Sequence, residues 1–222
     1  MKMYLSHFAM ILIMSGAIHT SASHAASIRV LDKNGDALEN AVILLPSIVA
    51  QKMAEPAIMG QTKRQFSPHV LAITSGQEVN FPNSDNVRHH VYSFSKAKPF
   101  EIKLYGGTET SSVLFDSPGI IVLGCNIHDN MVGYILVSDG HWSSLSNTEG
   151  IVTLPPLSGA TEVTIWHSQM SDNGEQLHKT TLTTDQLSQS DTQSHTIDIE
   201  LDILPIAPQK ASSFKRKFTD DY

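Results

Sequence analysis

The chain has little cysteine and little positive charge. Its 222 residues include one cysteine, and 15 lysines and arginines stand against 22 aspartates and glutamates, which gives a formal net charge of −7. A single thiol excludes an internal disulfide, and in an oxidising compartment it is prone to oxidation unless it is buried or bound to a metal. An acidic chain without a basic stripe binds nucleic acid poorly, so we expect no nucleic-acid partner.

Common catalytic patterns are also missing from the sequence. It shows no Ser-His-Asp ordering, no paired carboxylates and no phosphate-binding loop. The lone thiol, Cys125, would need a base and an oxyanion donor to act as a protease-type nucleophile. Its place on a loop between strand patterns, with a methionine nearby, argues against that role. We therefore predict that the chain is not an enzyme.

Long apolar runs are confined to the N-terminus. Residues 4–18 are apolar but too short for a comfortable membrane span, Lys2 precedes them, and Ser23 and Ala25 are small. This arrangement predicts a signal peptide over residues 1–25 that is cleaved after Ala25. The expected product is a periplasmic protein with no transmembrane span, and an uncleaved anchor is the alternative.

Helical periodicity longer than two turns is absent, whereas strand patterns recur along the chain. Residues 27–45 contain two apolar segments around a tight-turn Asn-Gly pair. Residues 100–105 alternate, which predicts that Phe100, Ile102 and Leu104 share one face of a strand. These patterns predict an all-β fold built from sandwiches.

Two continuous apolar runs, residues 119–125 and 131–137, are expected to be strands that are buried on both faces. Polar stretches separate such segments elsewhere. Residues 139–149 resemble a linker, and residues 170–195 are expected to be long loops with one short strand. The tail over residues 205–222 is predicted to be disordered.

The cysteine belongs to the most informative motif of the sequence, GCNIHDNM. Cys125, His128 and Met131 place a thiolate, an imidazole and a thioether on one short loop. A blue-copper site needs one cysteine and two histidines in a plane, with a weak methionine contact on the axis. Zinc would accept the cysteine and histidines but has no use for the thioether. The motif therefore predicts copper rather than zinc.

The second histidine has to come from another part of the chain. The segment NSDNVRHHVYSF offers His89 and His90 at the start of a predicted strand. Adjacent strand residues point to opposite faces, so only one of them can face a metal. His69 is a weaker candidate. Asn83 and Asp85 are expected to hydrogen-bond the ligand loops, because short polar side chains fix loops in this way.

These residues resemble the cupredoxins, in particular the amicyanin- and plastocyanin-like group, and residues 56–138 are the expected domain. The resemblance implies a Greek-key sandwich with one type 1 copper per chain, bound by His89, Cys125, His128 and Met131. It also implies single-electron transfer with a redox partner that docks near His128. His90 stands where the family usually has asparagine. The region is also similar to a group labelled methylamine-utilisation proteins.

The segments on either side resemble the two halves of a carboxypeptidase-regulatory-like, transthyretin-like sandwich. Residues 27–47 and 147–204 carry the strand, Gly-turn and Leu-Pro patterns of that family. This resemblance implies a second, small β-sandwich that is split by an inserted cupredoxin. Alternatively, the first segment supplies the cupredoxin's own first strands.

Three other functions remain open from the sequence. A copper chaperone or storage protein would exchange Cu(I) rather than cycle it between oxidation states. An enzyme would need a second metal or a substrate pocket, neither of which is visible in the sequence. A structural zinc module is the least favoured of the three.

Overall fold

The computed structural model describes residues 26–46, 55–107, 112–172, 174–188 and 195–205. The predicted signal peptide and nearly all of the predicted tail lie outside these ranges, so both remain predictions. Within the described residues, no helix is long and apolar enough to cross a membrane.

The regular secondary structure of the described residues is strand apart from one five-residue helix, which confirms the all-β class. The strands of the first half are β1 (Ser27–Asp32), β2 (Val42–Leu45), β3 (Ala57–Ile58), β4 (Gly60–Thr62), β5 (Gln65–Ser67), β6 (Val70–Thr74), β7 (Gln77–Asn80), β8 (His89–Ser93) and β9 (Phe100–Tyr105). The second half contains β10 (Val113–Phe115), β11 (Gly119–Cys125), β12 (Val132–Ser138), β13 (Trp142–Leu145), β14 (Ile151–Thr153), β15 (Thr161–Trp166), β16 (His178–Leu182), helix α1 (Thr184–Ser188) and β17 (Thr196–Leu201).

The middle of the chain forms what we call the central sandwich, strands β3 to β12. One sheet has the order β6-β12-β11-β8-β9, and the other has the order β10-β7-β3. Buried residues from both sheets meet between them, including Val79, Phe115, Ile121, Leu123 and Ile135. The hairpin of β4 and β5 packs at the end of this core with Phe66 buried.

The two ends of the chain together form the flanking sandwich, made of β1, β2 and β13 to β17. Its sheets have the orders β14-β1-β17 and β13-β2-β15-β16. Its buried core residues lie before Pro46 and after Gly150, and Trp142 packs against them. Strands β1 and β2 therefore pair with strands that follow the central sandwich in the chain, and not with the central sandwich itself.

The large sheets of the two sandwiches pack against each other. Val42 and Trp166 on the flanking side meet Val70 and Leu136 on the central side, and all four are buried. Each of the strands β2, β12 and β15 alternates between this interface and the core of its own sandwich, because successive side chains point to opposite faces. The prediction that residues 131–137 are buried on both faces is thus confirmed for β12 after its first residue, Val132, which is exposed.

Two predictions from the sequence were wrong in detail. Residues 139–149 are not a linker, because β13 lies within them and pairs with β2 along its whole length. In β9, Leu104 is 42% exposed, and Tyr105 packs towards the central core in its place. The pairing of β8 with β9 shifts register between His89 and Val91. Such a bulge adds a residue and reverses the alternation beyond it.

Trp166 is the anchor of the contact between the sandwiches. Its ring is fully buried and lies 5.4 Å from that of Tyr134 in the central sandwich, and its Nε1–H donates to the Gly174 carbonyl at 2.6 Å. Trp166→Ala should lower the free energy of unfolding by about 3–5 kcal/mol, as truncation of a buried aromatic residue does. Trp166→Phe, which keeps an aromatic ring, should cost clearly less. Urea unfolding of both variants measures the difference, and equal effects would contradict the packing role.

Candidate metal centre

The loop from Cys125 to Met131 consists of two successive tight turns. The His128 N–H approaches the Cys125 carbonyl at 3.4 Å, and the Met131 N–H donates to the His128 carbonyl at 3.0 Å. Each turn spans four residues with asparagine or aspartate inside it, and these residues favour turns. The three-residue spacing of Cys, His and Met therefore places each of them at a turn boundary.

Three side chains converge at this loop: His89, Cys125 and His128, which we call the trio. Cys125 Sγ lies 3.8 Å from His89 Nδ1 and 3.7 Å from His128 Nδ1. The ligand atoms of the three side chains all lie within 4.8 Å of one another. Cys125 and His89 are buried, and His128 is half-buried. Two strands, β8 and β11, and the loop after β11 thus bring together residues that are 36 positions apart in the chain.

These separations fit a bound metal ion. Bonds of about 2.3 Å to sulfur and 2.0 Å to nitrogen, at an angle of about 120°, place the two donors about 3.7 Å apart. The observed sulfur–nitrogen distances of 3.7 and 3.8 Å agree with this value. One thiolate and two imidazoles suit copper or zinc, so the distances alone do not distinguish the two metals.

Met131 supplies the donor that distinguishes copper from zinc, because copper accepts a thioether ligand and zinc has no use for one. It is 1% exposed and belongs to the same buried cluster as Cys125. It follows the second turn directly and ends the loop before β12 begins. A buried thioether at this position is compatible with a weak axial contact to a soft metal.

His89 and His90 face opposite sides of their strand. His89 is fully buried with its ring centroid 5.0 Å from that of His128, whereas His90 Nε2 lies 2.9 Å from Glu101 Oε1 on the other face. That contact has ion-pair distance but not the alignment of a hydrogen bond. Of the two candidates, His89 is therefore the one that joins Cys125 and His128.

Asp85 fixes the ring of His89. Its Oδ2 lies 2.8 Å from His89 Nε2, and its two oxygens also accept the backbone N–H groups of Lys63 and Arg64. Burial opposes ionisation of Asp85, but these hydrogen bonds outweigh it and hold its pKa below the usual value. An ionised carboxylate can only accept, so His89 Nε2 carries the proton and Nδ1 presents a lone pair towards Cys125.

Asn83 holds the segment that leads into β8. Its amide Nδ2–H₂ donates to the carbonyls of Val87 and Tyr105, and its Oδ1 accepts the Asp85 N–H. The expected roles of Asn83 and Asp85 in fixing the ligand loops are therefore confirmed. Side chains placed behind the ligands commonly orient them in this way.

Two side chains near the site were not singled out from the sequence as its supports. Tyr105 donates from its hydroxyl to the Phe81 carbonyl at 2.6 Å, and Gln61 Nε2 contacts both of these groups. The bulge in the β8–β9 pairing turns Tyr105 inward. No local sequence pattern predicts that bulge. Gln61 lies in a short strand with almost no apolar residues, so no sequence pattern predicts that it is buried.

His128 is the most accessible member of the trio. Burial lowers its pKa first, and the neighbouring His89 and Arg64 lower it further, while Asp85 acts in the opposite direction. These effects favour the neutral imidazole, which is the form that can bind a metal.

The remaining candidate histidine, His69, does not reach the trio. Its ring packs edge-on against Tyr134 at 5.4 Å. It lines a cleft between the sandwiches, together with His167 and with Asp129 from the metal loop. Burial lowers the pKa of both histidines.

Comparison with known proteins gives matches among solved structures only. No family model and no curated protein matches the chain. A copper-containing nitrite reductase from Thermus scotoductus is 30% identical over 42% of this chain and 25% of its own, with a TM-score of 0.37. A purple cupredoxin from Nitrosopumilus maritimus is 23% identical over 38% of this chain and all of its own, with a TM-score of 0.34.

A reduced amicyanin variant is also similar, with 20% identity over 45% of this chain and all of its own length and a TM-score of 0.35. These similar structures include cupredoxins, the family that the sequence resembles, and the His-Cys-His set of the described residues is of the kind that a type 1 copper site uses. This chain spans about a quarter of the nitrite reductase. Each of these three matches covers less than half of this chain, so the chemistry of this chain has to follow from its own side chains.

The two adjacent histidines allow a matched test of the site. His89→Ala should abolish the visible colour that Cu(II) gives through sulfur-to-copper charge transfer, because the trio loses a donor. His90→Asn should keep the colour, since His90 faces Glu101. Absorption spectra of both variants after addition of Cu(II) measure this. The reverse result would mean that the strand is displaced by one residue.

Asp85 can be tested separately from the ligands. Asp85→Ala should weaken copper affinity by about 10- to 100-fold, which is the usual effect of removing a group that orients a metal-binding histidine. Asp129→Ala is the matched control, because Asp129 is exposed on the metal loop and has no contact with His89 among the hydrogen bonds of the described residues. Competition titration with a chelator measures both affinities, and equal affinities in the two variants would contradict the role of Asp85.

Proposed function

We propose that this chain is a type 1 copper protein that carries single electrons between redox partners. Cys125, His89 and His128 would bind copper in a plane, and Met131 would bind it weakly on the axis. The observation that carries the proposal is the grouping of one buried thiol and two imidazoles at donor separations of 3.7 and 3.8 Å. The set therefore needs little rearrangement to hold a metal.

Copper is favoured over zinc by the mixture of donors. Soft sulfur ligands suit Cu(I) and imidazoles suit Cu(II), so a site with both can hold either oxidation state. The buried thioether of Met131 has a use only with the softer metal. Copper bound here would supply one-electron chemistry by alternating between these two states.

Electron transfer is favoured over copper exchange by the fixed geometry of the site. His89 is locked by Asp85 and has no exposed surface, and Cys125 is 5% exposed. A donor that is held in place changes little when the charge of the metal changes, which keeps the reorganisation small. A chaperone instead has to let its metal leave, and it gains nothing from a locked and buried ligand.

His128 offers the route for electrons to the surface. It is the only member of the trio that is half-buried rather than buried, and its neighbours in the chain, Asn126, Ile127 and Asp129, are exposed. A redox partner is therefore proposed to dock near His128. That the chain is not an enzyme remains a prediction, since a nitrite reductase is among the similar structures.

The flanking sandwich is proposed to be a carboxypeptidase-regulatory-like unit into which the cupredoxin unit is inserted. The pairing of β1 with β14 and β17, and of β2 with β13 and β15, supports this arrangement. A periplasmic location is proposed from the N-terminal sequence pattern. The burial of the lone thiol among metal-binding side chains suits an oxidising compartment.

A substitution of Met131 distinguishes an electron-transfer protein from a copper chaperone or storage protein. Met131→Leu should leave copper bound and coloured but raise the reduction potential, because Cu(II) loses more donation than Cu(I) does. Each 59 mV corresponds to about a tenfold change in a one-electron equilibrium. Voltammetry and a Cu(I) competition titration on the same variant measure both effects. An unchanged potential with sharply weakened Cu(I) binding would instead identify a chaperone or storage protein.

A further inference from the structure

The hairpin of β4 and β5 has an unusual turn. Its two loop residues, Lys63 and Arg64, have φ angles of 52° and 59°. A two-residue hairpin loop with both φ values positive is normally built from Asn-Gly or a similar pair, because other side chains are strained there. This chain instead places two long cationic side chains at the turn, and both are exposed.

The turn is fastened directly to the candidate metal centre. The Lys63 N–H donates to Asp85 Oδ1 at 2.6 Å, and the Arg64 N–H donates to Asp85 Oδ2 at 2.8 Å. The same Oδ2 lies 2.8 Å from His89 Nε2. One carboxylate therefore joins the hairpin turn to the ring of His89, whose centroid lies 5.0 Å from that of His128.

The base of the hairpin is also held in place. Phe66 packs so closely on Gly133 that a Cβ added at Gly133 would meet its ring at 2.9 Å. Gln61 N–H donates to the Pro82 carbonyl, and the Gln61 carbonyl accepts the Ser84 N–H. The hairpin is thus fixed beside the segment that follows Met131, and its cationic turn projects at the same end of the central sandwich as the trio.

Neither cationic group of this turn is held in an ion pair. In the described part of the chain, Arg29, Lys33, Lys98 and Lys179 each form an ion pair with an acid, whereas Lys63 and Arg64 form none. The oxygens of Asp85 are already occupied by two amides and His89. Asp129, the other acid near His128 in the chain, lines the cleft that contains His69 and His167.

We infer that the Lys63-Arg64 turn forms a cationic docking site beside His128 for a protein partner with an acidic surface. The inference rests on the proposed electron-transfer function and names the chemistry of the partner. Because the whole chain carries a formal charge of −7, it would otherwise repel such a partner. A local patch of opposite sign steers an acidic surface to the one place where His128 is accessible.

Electron exchange with two forms of one protein probe tests this directly. Native cytochrome c is basic, and succinylated cytochrome c presents an acidic surface around the same haem. The double variant Lys63→Glu/Arg64→Glu should slow exchange with the succinylated form by about tenfold at low ionic strength, because steering depends on local charge. The effect should shrink to less than about twofold at high salt, where the Debye length is only about 3 Å.

The matched control is Lys33→Glu/Lys179→Glu, which changes the net charge by the same amount on the flanking sandwich. It should alter the rates by less than about twofold, since those residues lie outside the docking site. Equal slowing in both double variants would show that only net charge matters and would overturn the inference. Unchanged copper colour in each variant shows that the site is intact, because Asp85 contacts backbone amides that the substitutions retain.

Hexacyanoferrate(II), a small anionic reductant, distinguishes a protein partner from a simple anion. Slower reaction of the hairpin variant with hexacyanoferrate(II) alone, with both cytochrome forms unaffected, would overturn the assignment of a protein partner. A chain that binds copper but exchanges electrons with no probe would overturn the proposed function, and the docking site with it.

Discussion

The hydrogen bond between Asp85 and His89, at 2.8 Å, is the contact on which the site depends. It leaves the proton on Nε2 and turns Nδ1 towards Cys125, so the ring is set in both tautomer and direction. The same carboxylate takes two amides of the Lys63-Arg64 turn. Removing it would release a buried imidazole and a strained turn together. The geometry of the ligands and the charge of the surface beside them are therefore linked by one side chain.

The rest of the fold holds the metal loop in position. Strand β12 begins directly after Met131, and its two faces supply residues to the central core and to the contact between the sandwiches. The metal loop is therefore continuous with the strand that the flanking sandwich covers. Close packing on both faces leaves little room for that strand to move. The flanking sandwich thus supports the end of the metal loop without supplying any of the donors.

Sequence patterns predicted the residues that are local in the chain and missed those that depend on distant pairing. The spacing of Cys125, His128 and Met131 indicated one loop of metal-binding side chains, whereas the choice of His89 over His90 came from the resemblance to the cupredoxins. Tyr105 was assigned to the wrong face because the bulge opposite His89 changes the alternation of β9. The sequence of strand β13 predicts a linker because its polar residues carry no strand pattern, and its pairing with β2 is made by the backbone. The hydrogen bonds between the hairpin turn and Asp85 come from backbone amides that are distant from Asp85 in the chain. No sequence motif predicts such bonds.

Copper-edge X-ray absorption on the oxidised and reduced protein tests the central claim most directly. If the His89, Cys125 and His128 set is held rigidly by the fold, both states should show one short copper–sulfur bond and two copper–nitrogen bonds, with little change in their lengths. Loss of a nitrogen ligand on reduction would contradict this account, because the account requires both imidazoles to stay on the metal in the two states. So would a metal environment in either state that lacks the short bond to sulfur.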